Sequence, residues 1–256
     1  MSDKKILVMI PTYNEKENVK KMCHDISMTG IAAEILFVDD NSPDGTGTVL
    51  DQLAKNLPRV LVVHRPGKLG IGSAHSYGIQ WAYSHGYSHL ITMDCDFTHS
   101  PYNIPDLLKF AEEYDVVVGS RHLLENSLSG WNVWRKFLTR TGHLLTKILL
   151  NIPYDATGAF RLYRTDQIPI EVFGLVSSTG YSFFFESLAI LNLNKYRIKE
   201  IPIALPPRTY GHSKLRFSDM VQCLFFMLGM FWNMQFNKQK LSISHNKGLI
   251  QSKTMA

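Results

Sequence analysis

Residues 89–101 read HLITMDCDFTHSP, a short apolar run that passes directly into two aspartates one residue apart, Asp94 and Asp96. The run has strand length and no helical period, and the Thr, Ser and Pro behind it are turn chemistry. A strand that ends this way delivers two hard oxygen donors to the edge of a sheet. One reading is a capping pair for the helix that starts near Pro101. The other is a divalent-metal site, because Mg2+ and Mn2+ prefer carboxylate and phosphate oxygens. The surrounding sequence favours the metal.

Apolar runs of strand length recur at 5–10 (KILVMI), 34–38 (EILFV), 60–63 (VLVV) and 115–118 (DVVV). Helix-length segments fill the intervals near 16–28, 46–57, 71–85 and 103–113. The strands are continuously apolar rather than alternating, the pattern of a sheet covered by helices on both faces. Strand and helix in strict alternation predict an α/β fold with a Rossmann-like, mostly parallel sheet. In such sheets ligands bind beyond the carboxyl ends of the strands. Those ends read PTYNE (11–15), DDNSPDGT (39–46), HRPGKLGIG (64–72), DCDFTHS (94–100) and GSRH (119–122), so acids, glycines and cations collect on one edge.

Within that edge, Asp39 suits a nucleobase or ribose, whereas Asp40, Asp44 and Gly45 read as turn formers. Glu15 serves either the nucleotide or the next helix. The glycines at 70 and 72 do not complete GxGxxG, and no Walker lysine is present. They read as relief that lets the helix start come close to the other strand ends, with Lys68 facing a phosphate. Arg121 follows the fifth strand directly, and an arginine fork matches phosphate oxygens in bidentate fashion.

The chain has 256 residues, a formal net charge of +5, 45% hydrophobic and 19% charged residues. This composition suits one folded domain. The small positive excess is compatible with anionic partners without choosing among them. The three cysteines are far apart with no CxxC pair, which argues against a disulfide framework or structural zinc and for a reducing compartment. No run reaches about 18 uninterrupted apolar residues, so no spanning helix is expected. Residues 129–150 and 217–236 read as amphipathic helices, 154–164 (YDATGAFRLYR) as a loop, and 238–256 as a poorly ordered tail behind a domain of residues 1–236.

The motifs PTYNE, VDDNSPDGT, HRPGKLGIGSA, MDCDFTHSP, GSRH, GYSFFFE and RTYGHSKL occur in order along the chain. Together they resemble the dolichyl-phosphate (polyprenol-phosphate) mannosyltransferases of glycosyltransferase family 2. The resemblance implies a GT-A type fold and an inverting, metal-dependent transfer of mannose from GDP-mannose to a polyprenyl phosphate. It implies that Pro11, Tyr13, Glu15, Phe37 and Asp39 line the nucleotide. Asp94, Cys95 and Asp96 would meet ribose, diphosphate and metal, with Asp96 the principal ligand of Mg2+ or Mn2+. Arg121, Arg208 and Lys214 would hold phosphates, and Arg135 the lipid phosphate. Where some members carry a Gln ligand, this chain has Thr98; after GSR, where Tyr is common, it has His122.

A phosphate acceptor needs no general base, since its second pKa lies at about 6. None is therefore nominated; Asp94, Asp96, Arg121 and Arg135 are the residues expected to carry catalysis. A lipid acceptor also requires contact with a membrane surface, for which 129–150 and 217–236 are the candidates. The expected setting is peripheral, on the cytoplasmic face, with an integral-membrane protein as a candidate partner and no nucleic acid. Two readings within the class stay open: another donor such as UDP-glucose, and a saccharide acceptor with Glu186 as base. A sugar-nucleotide pyrophosphorylase would want a glycine-rich basic loop where PTYNEKEN stands, and a non-catalytic lipid-binding scaffold would not need both acids of DCD.

Overall fold

The structure is a computed structural model that describes residues 4–206 and 217–243. Its first part follows the predicted alternation: β1 Ile6–Thr12, α1 Lys16–Met28, β2 Ala33–Asp39, α2 Thr46–Asn56, β3 Val60–His64, α3 Ile71–Ser84, β4 His89–Thr92, α4 Ile104–Phe110 and β5 Val116–Ser120. There follow α5 Val133–Leu150, β6 Arg161–Arg164, α6 Ile170–Phe173, α7 Phe183–Leu193, β7 Ile198–Pro202 and α8 Phe217–Phe236. The described strands form one sheet in the order β3-β2-β1-β4-β6-β5-β7. Two apolar layers sandwich it. Leu7, Met9, Leu36 and Val38 face one layer, with α3 and α7; Val8, Ile10, Ile35 and Phe37 face the other, with α1.

All pairings are parallel except those of β6, which runs antiparallel between β4 and β5. This corrects the reading of 154–164 as loop throughout. The strand was hidden because its four residues, RLYR, begin and end with arginine, and Arg161 is fully buried. Arg161 donates to the carbonyl of Ala156 at 2.9 Å and to the Ser187 hydroxyl at 3.1 Å, which offsets part of its desolvation. Because β6 runs backwards, its amino end meets the carboxyl ends of the other strands. The segment 154–160 therefore arrives at the functional edge.

Residues 238–243, assigned from sequence to the unordered tail, are folded. Lys238–Leu241 forms a 3-10 turn, and the Ile243 N–H donates to Asn194 at 3.0 Å.

Three histidines are held neutral inside the fold. Burial pushes His75 down to about 3, aided by Arg161 and His99. Burial likewise takes His89 to about 4, with Arg164 adding to it, and His122 to about 4, where Asp155 opposes the shift. A lowered histidine pKa means that the unfolded chain binds more protons. Stability is therefore complete above about pH 6.5 and declines as pH falls toward 4. Denaturant melts from pH 7.5 to 4.5 should show this decline, and His89→Asn should make it shallower.

Candidate active site

The chain order reverses between β1 and β4, and the parallel strands there end in PTYNE and DCD. This is the crevice that a doubly wound sheet offers a nucleotide. Asp39 closes β2, where it pairs in register with Thr12 of β1. Its Oδ1 accepts from the Ser42 hydroxyl at 2.6 Å and the Thr12 hydroxyl at 3.2 Å, and its Oδ2 from the Ser42 N–H at 3.2 Å. The carboxylate is thus anchored and only 1% exposed. Pro11, Tyr13 and Glu15 are half-buried along the same edge. Phe37 differs from expectation: it is fully buried in the core, with no exposed surface to line a ligand.

Asp44 is the turn former that the sequence suggested. Its Oδ1 accepts from the Thr46 N–H at 2.9 Å and hydroxyl at 2.6 Å, and its Oδ2 from the Lys16 N–H at 3.2 Å, which ties α1 to α2. Asp40 is buried against Arg65, with Nε 2.6 Å from Oδ1. Neither acid stands in the DCD turn.

In the DCD turn, Asp96 is 4% exposed and the Asp94 carboxylate is about one-third exposed. Asp96 Oδ1 accepts from both the N–H (3.1 Å) and the hydroxyl (2.6 Å) of Thr98. Thr98 is therefore the orienter of Asp96, a role the sequence did not reveal. Phe97 between them has φ +62°, a left-handed conformation that costs a non-glycine residue on the order of 1–3 kcal/mol and marks a backbone held for a purpose. His99 is buried, stacks on Phe160 at 5.5 Å and accepts the Asp94 N–H on Nδ1 at 3.1 Å. Cys95 is buried between the acids.

Two adjacent carboxylates suit a divalent ion that completes its shell with diphosphate oxygens and water, the way Mg2+ is commonly held. Among the described residues no three acid, His or Cys side chains converge on one point, so an all-protein cage is not built.

Arg121 lies at the edge as expected, but it has a partner that sequence did not identify. Asp155, 1% exposed, accepts Arg121 Nε at 2.8 Å, Nη2 at 3.2 Å and the backbone N–H at 3.2 Å. Burial alone would raise the Asp155 pKa; Arg121 and His122 overcome this and bring it to about 2. The side chain of Arg121 is 11% exposed.

Helix α5 starts at Asn132, whose side chain accepts the Arg135 N–H at 2.8 Å as an N-cap, and stops at Asn151 in a left-handed conformation. Its phase separates neighbouring cations. Arg135 lies over the Trp131 ring at 3.6 Å, whereas Lys136 and Arg140 face the loop 121–130. Arg208 and Lys214 fall outside the described residues.

Glu186 is 3% exposed, and each of its oxygens accepts two hydrogen bonds, Oε1 from Ser177 and Oε2 from Ser178. It fixes the segment 176–180. That segment lies so close to the start of α3 that a Cβ at position 70 would sit 2.4 Å from the Thr179 carbonyl oxygen. The glycines therefore relieve a close approach to this segment between α6 and α7, and not to the other strand ends as expected. A carboxylate with all four acceptor directions occupied is an anchor rather than a base.

Residues 7–168 match the family described as glycosyl transferase family 2. The chain is 35% identical over 222 residues to a polyprenol monophosphomannose synthase of Mycolicibacterium smegmatis, covering 86% of this chain and 84% of that protein. It is 35% identical over 213 residues to an undecaprenyl-phosphate mannosyltransferase of Micrococcus luteus, covering 82% and 87%. The glucosyl-3-phosphoglycerate synthase of Mycobacterium tuberculosis, solved with Mn2+, UDP and phosphoglyceric acid, superposes with a TM-score of 0.61 at 17% identity, over 89% of this chain and 80% of that one. That likeness shows the GT-A type fold. The switch-point crevice, its DCD turn and these relatives lead to one conclusion: the chain is a glycosyltransferase and belongs to glycosyltransferase family 2.

Proposed function

We propose that the protein transfers a mannosyl group from GDP-mannose to the phosphate of a polyprenyl phosphate, with inversion and with Mg2+ or Mn2+ on the donor. The observation that carries the reading is the junction of two unlike halves on one edge. The DCD turn follows β4 at the switch point, and Arg121 follows β5 at the same edge of the sheet with β6 between the two strands, where it shares a cavity with Lys136 and Arg140 of α5. The names of the two 35% identical relatives support the same acceptor and sugar.

Asp94 and Asp96 would hold the metal with the donor diphosphate, and Thr98 keeps Asp96 in its rotamer. The metal when bound supplies Lewis-acid stabilisation of the leaving diphosphate. Asp39 offers a fixed anionic acceptor for base or ribose. Arg121, held by Asp155, neutralises and aims an incoming phosphate, which is positional and electrostatic catalysis. A phosphate needs no proton removed at neutral pH, consistent with Glu186 being fully committed to Ser177 and Ser178.

The second part of the proposal is a peripheral position on the cytoplasmic face of a membrane. No described helix is long and apolar enough to cross one. Instead, α5 exposes Val133, Trp134, Phe137, Leu144 and Ile148, and α8, which packs beside it, exposes Phe225, Leu228, Trp232 and Phe236. The opposite face of α8 is in the core through Met227 and Met230, so this helix both packs and presents. Exposed apolar stripes of this size mark an interaction surface. An integral-membrane partner would share that surface.

The test is transfer from labelled GDP-mannose, UDP-glucose and UDP-N-acetylglucosamine to a short polyprenyl phosphate, with metal or chelator. GDP-mannose should be the donor used, and chelator should stop the reaction. Failure with every donor, or an undiminished rate in chelator, rejects the reading. Glu186→Gln should keep kcat within a few-fold while lowering the melting temperature, because an amide NH2 would then face a Ser177 or Ser178 N–H. A dead but normally stable Glu186→Gln enzyme would instead favour a saccharide acceptor.

A further inference from the structure

His64 closes β3 in register with Asp39 at the end of β2, so the two residues stand side by side on the functional edge. The ring lies between two carboxylates. Its Nε2 is 2.9 Å from Asp51 Oδ1 on α2, and its Nδ1 is 3.7 Å from Asp39 Oδ2. We propose that His64 is a positioning residue for the nucleotide donor: held by Asp51, its imidazolium orients the Asp39 carboxylate, and donor affinity falls as the ring loses its proton. This rests on the assignment of Asp39 to the base or ribose of the donor made above.

The placement suits the charged ring. A neutral imidazole has one N–H and one lone pair, so either tautomer turns a lone pair toward one of the two carboxylates. The imidazolium offers each of them an N–H. Its pKa accordingly moves upward from 6.5, chiefly through the hydrogen bond to Asp51 and against the effect of burial, with the charges of Asp51 and Asp39 adding to it. These two acids are the charged groups that face the ring; Arg65, next along the chain, turns instead to Asp40.

Asp39 has the complementary need. It is 1% exposed, and the hydrogen bonds it accepts come from Ser42 and Thr12, which carry no charge. A buried carboxylate with neutral donors alone lacks a counter-charge, and His64 supplies it on the Oδ2 side. Room for the contact is built into the first turn of α2, where a Cβ at position 47 would lie 3.2 Å from His64 Cε1 and 3.3 Å from Asp39 Oδ2. The His64 side chain is itself 45% exposed, so the pH of the solution reaches it without any opening of the fold.

The test is calorimetric titration of GDP-mannose with Mg2+ present, from pH 6 to 8.5, a range in which its diphosphate diester does not titrate. The wild-type protein is compared with His64→Gln, Asp51→Asn and Asp39→Asn, each first shown by thermal melting to be folded. Wild-type affinity should fall about tenfold across the range. His64→Gln should already be weaker by that factor at pH 6 and should then stay flat. Asp51→Asn removes the carboxylate that holds the proton on the ring, so its fall should begin at lower pH than that of the wild type. The KM for a short prenyl phosphate should be the same in the wild type and His64→Gln. An identical pH profile in the wild type and His64→Gln would overturn the proposal, as would equal affinity at pH 6. A protein that binds UDP-glucose in place of GDP-mannose rejects the mannosyl donor alone, and the same comparison is then read on UDP-glucose. If neither nucleotide sugar binds, or Asp39→Asn binds as tightly as the wild type, the donor assignment falls and this proposal with it. If Asp39→Asn is weak and His64→Gln is not, only the role of His64 falls.

Discussion

Asp96→Asn is expected to lower the rate of sugar transfer about a thousandfold while leaving the melting temperature within a few degrees of the wild type. The substitution removes one negative charge and little else. Asparagine keeps an Oδ1 that can still accept the Thr98 N–H and hydroxyl, so the turn around Phe97 retains its geometry. On the proposed function, what would be lost is a hard anionic ligand at a buried position, for which a divalent ion held by two protein carboxylates would have no substitute. Rates should be measured over a range of Mn2+ concentrations. A loss that excess metal partly rescues would locate the defect in metal affinity, and activity within tenfold of wild type would show that Asp96 is not the metal ligand. Asp44→Ala, by contrast, should leave the chemistry in place, because that acid caps α2 and holds the start of α1.

Asp155→Ala should destabilise the protein by about 3–5 kcal/mol, the cost of breaking a buried ion pair from one side. It strands the Arg121 guanidinium and the Arg121 N–H together, and it frees the Thr157 N–H that Asp155 Oδ1 also receives at 3.3 Å. Chemical denaturation with a two-state fit measures the loss, and a change below about 1 kcal/mol would show that the pair is not structural. The pH behaviour is a second check. The Asp155 pKa in the fold, about 2, lies below its ordinary value of 3.8. Its contribution is therefore fully present above pH 4 and is lost as pH falls through 2. Acid unfolding of the wild type below pH 4 should carry this component, and the alanine variant should lack it.

The fold was legible because the strands bear no competing signal: five continuously apolar runs, each with a polar carboxyl end, define the parallel half of the sheet. The family resemblance then supplied what periodicity could not, namely expected roles for individual residues on that edge. Two things escaped for physical reasons. Inspecting strand carboxyl ends finds chemistry only on parallel strands, so Asp155, carried in at the amino end of an antiparallel strand, was invisible. Arg135 and Lys136 are adjacent in sequence but about 100° apart around a helix. Which of them faces the loop depends on the rotation of α5 about its axis, and apolar residues spread around this helix do not set that rotation. Thr98 illustrates a third limit. Its type was read correctly, but whether its hydroxyl reaches outward to an ion or back to Asp96 is decided by the left-handed turn at Phe97.

The place of β6 in the sheet also governs how the chain must be assembled. β5 pairs only with β6 and β7, both of which come after it in the sequence. As the polypeptide leaves the ribosome, β1, β2, β3 and β4 can zip together in order, each finding a partner already made. β5 emerges before either of its native partners and stays unpaired until β6, complete at residue 164, can be inserted beside β4. The amino-terminal half, β1 to β4, can thus pair before the rest of the chain is made, whereas the half that carries Arg121 has to close in a later step with a long loop to bridge. A truncated nascent chain ending before Arg161 would leave a bare strand of Val116, Val117 and Val118, the stretch on which a chaperone would be most needed.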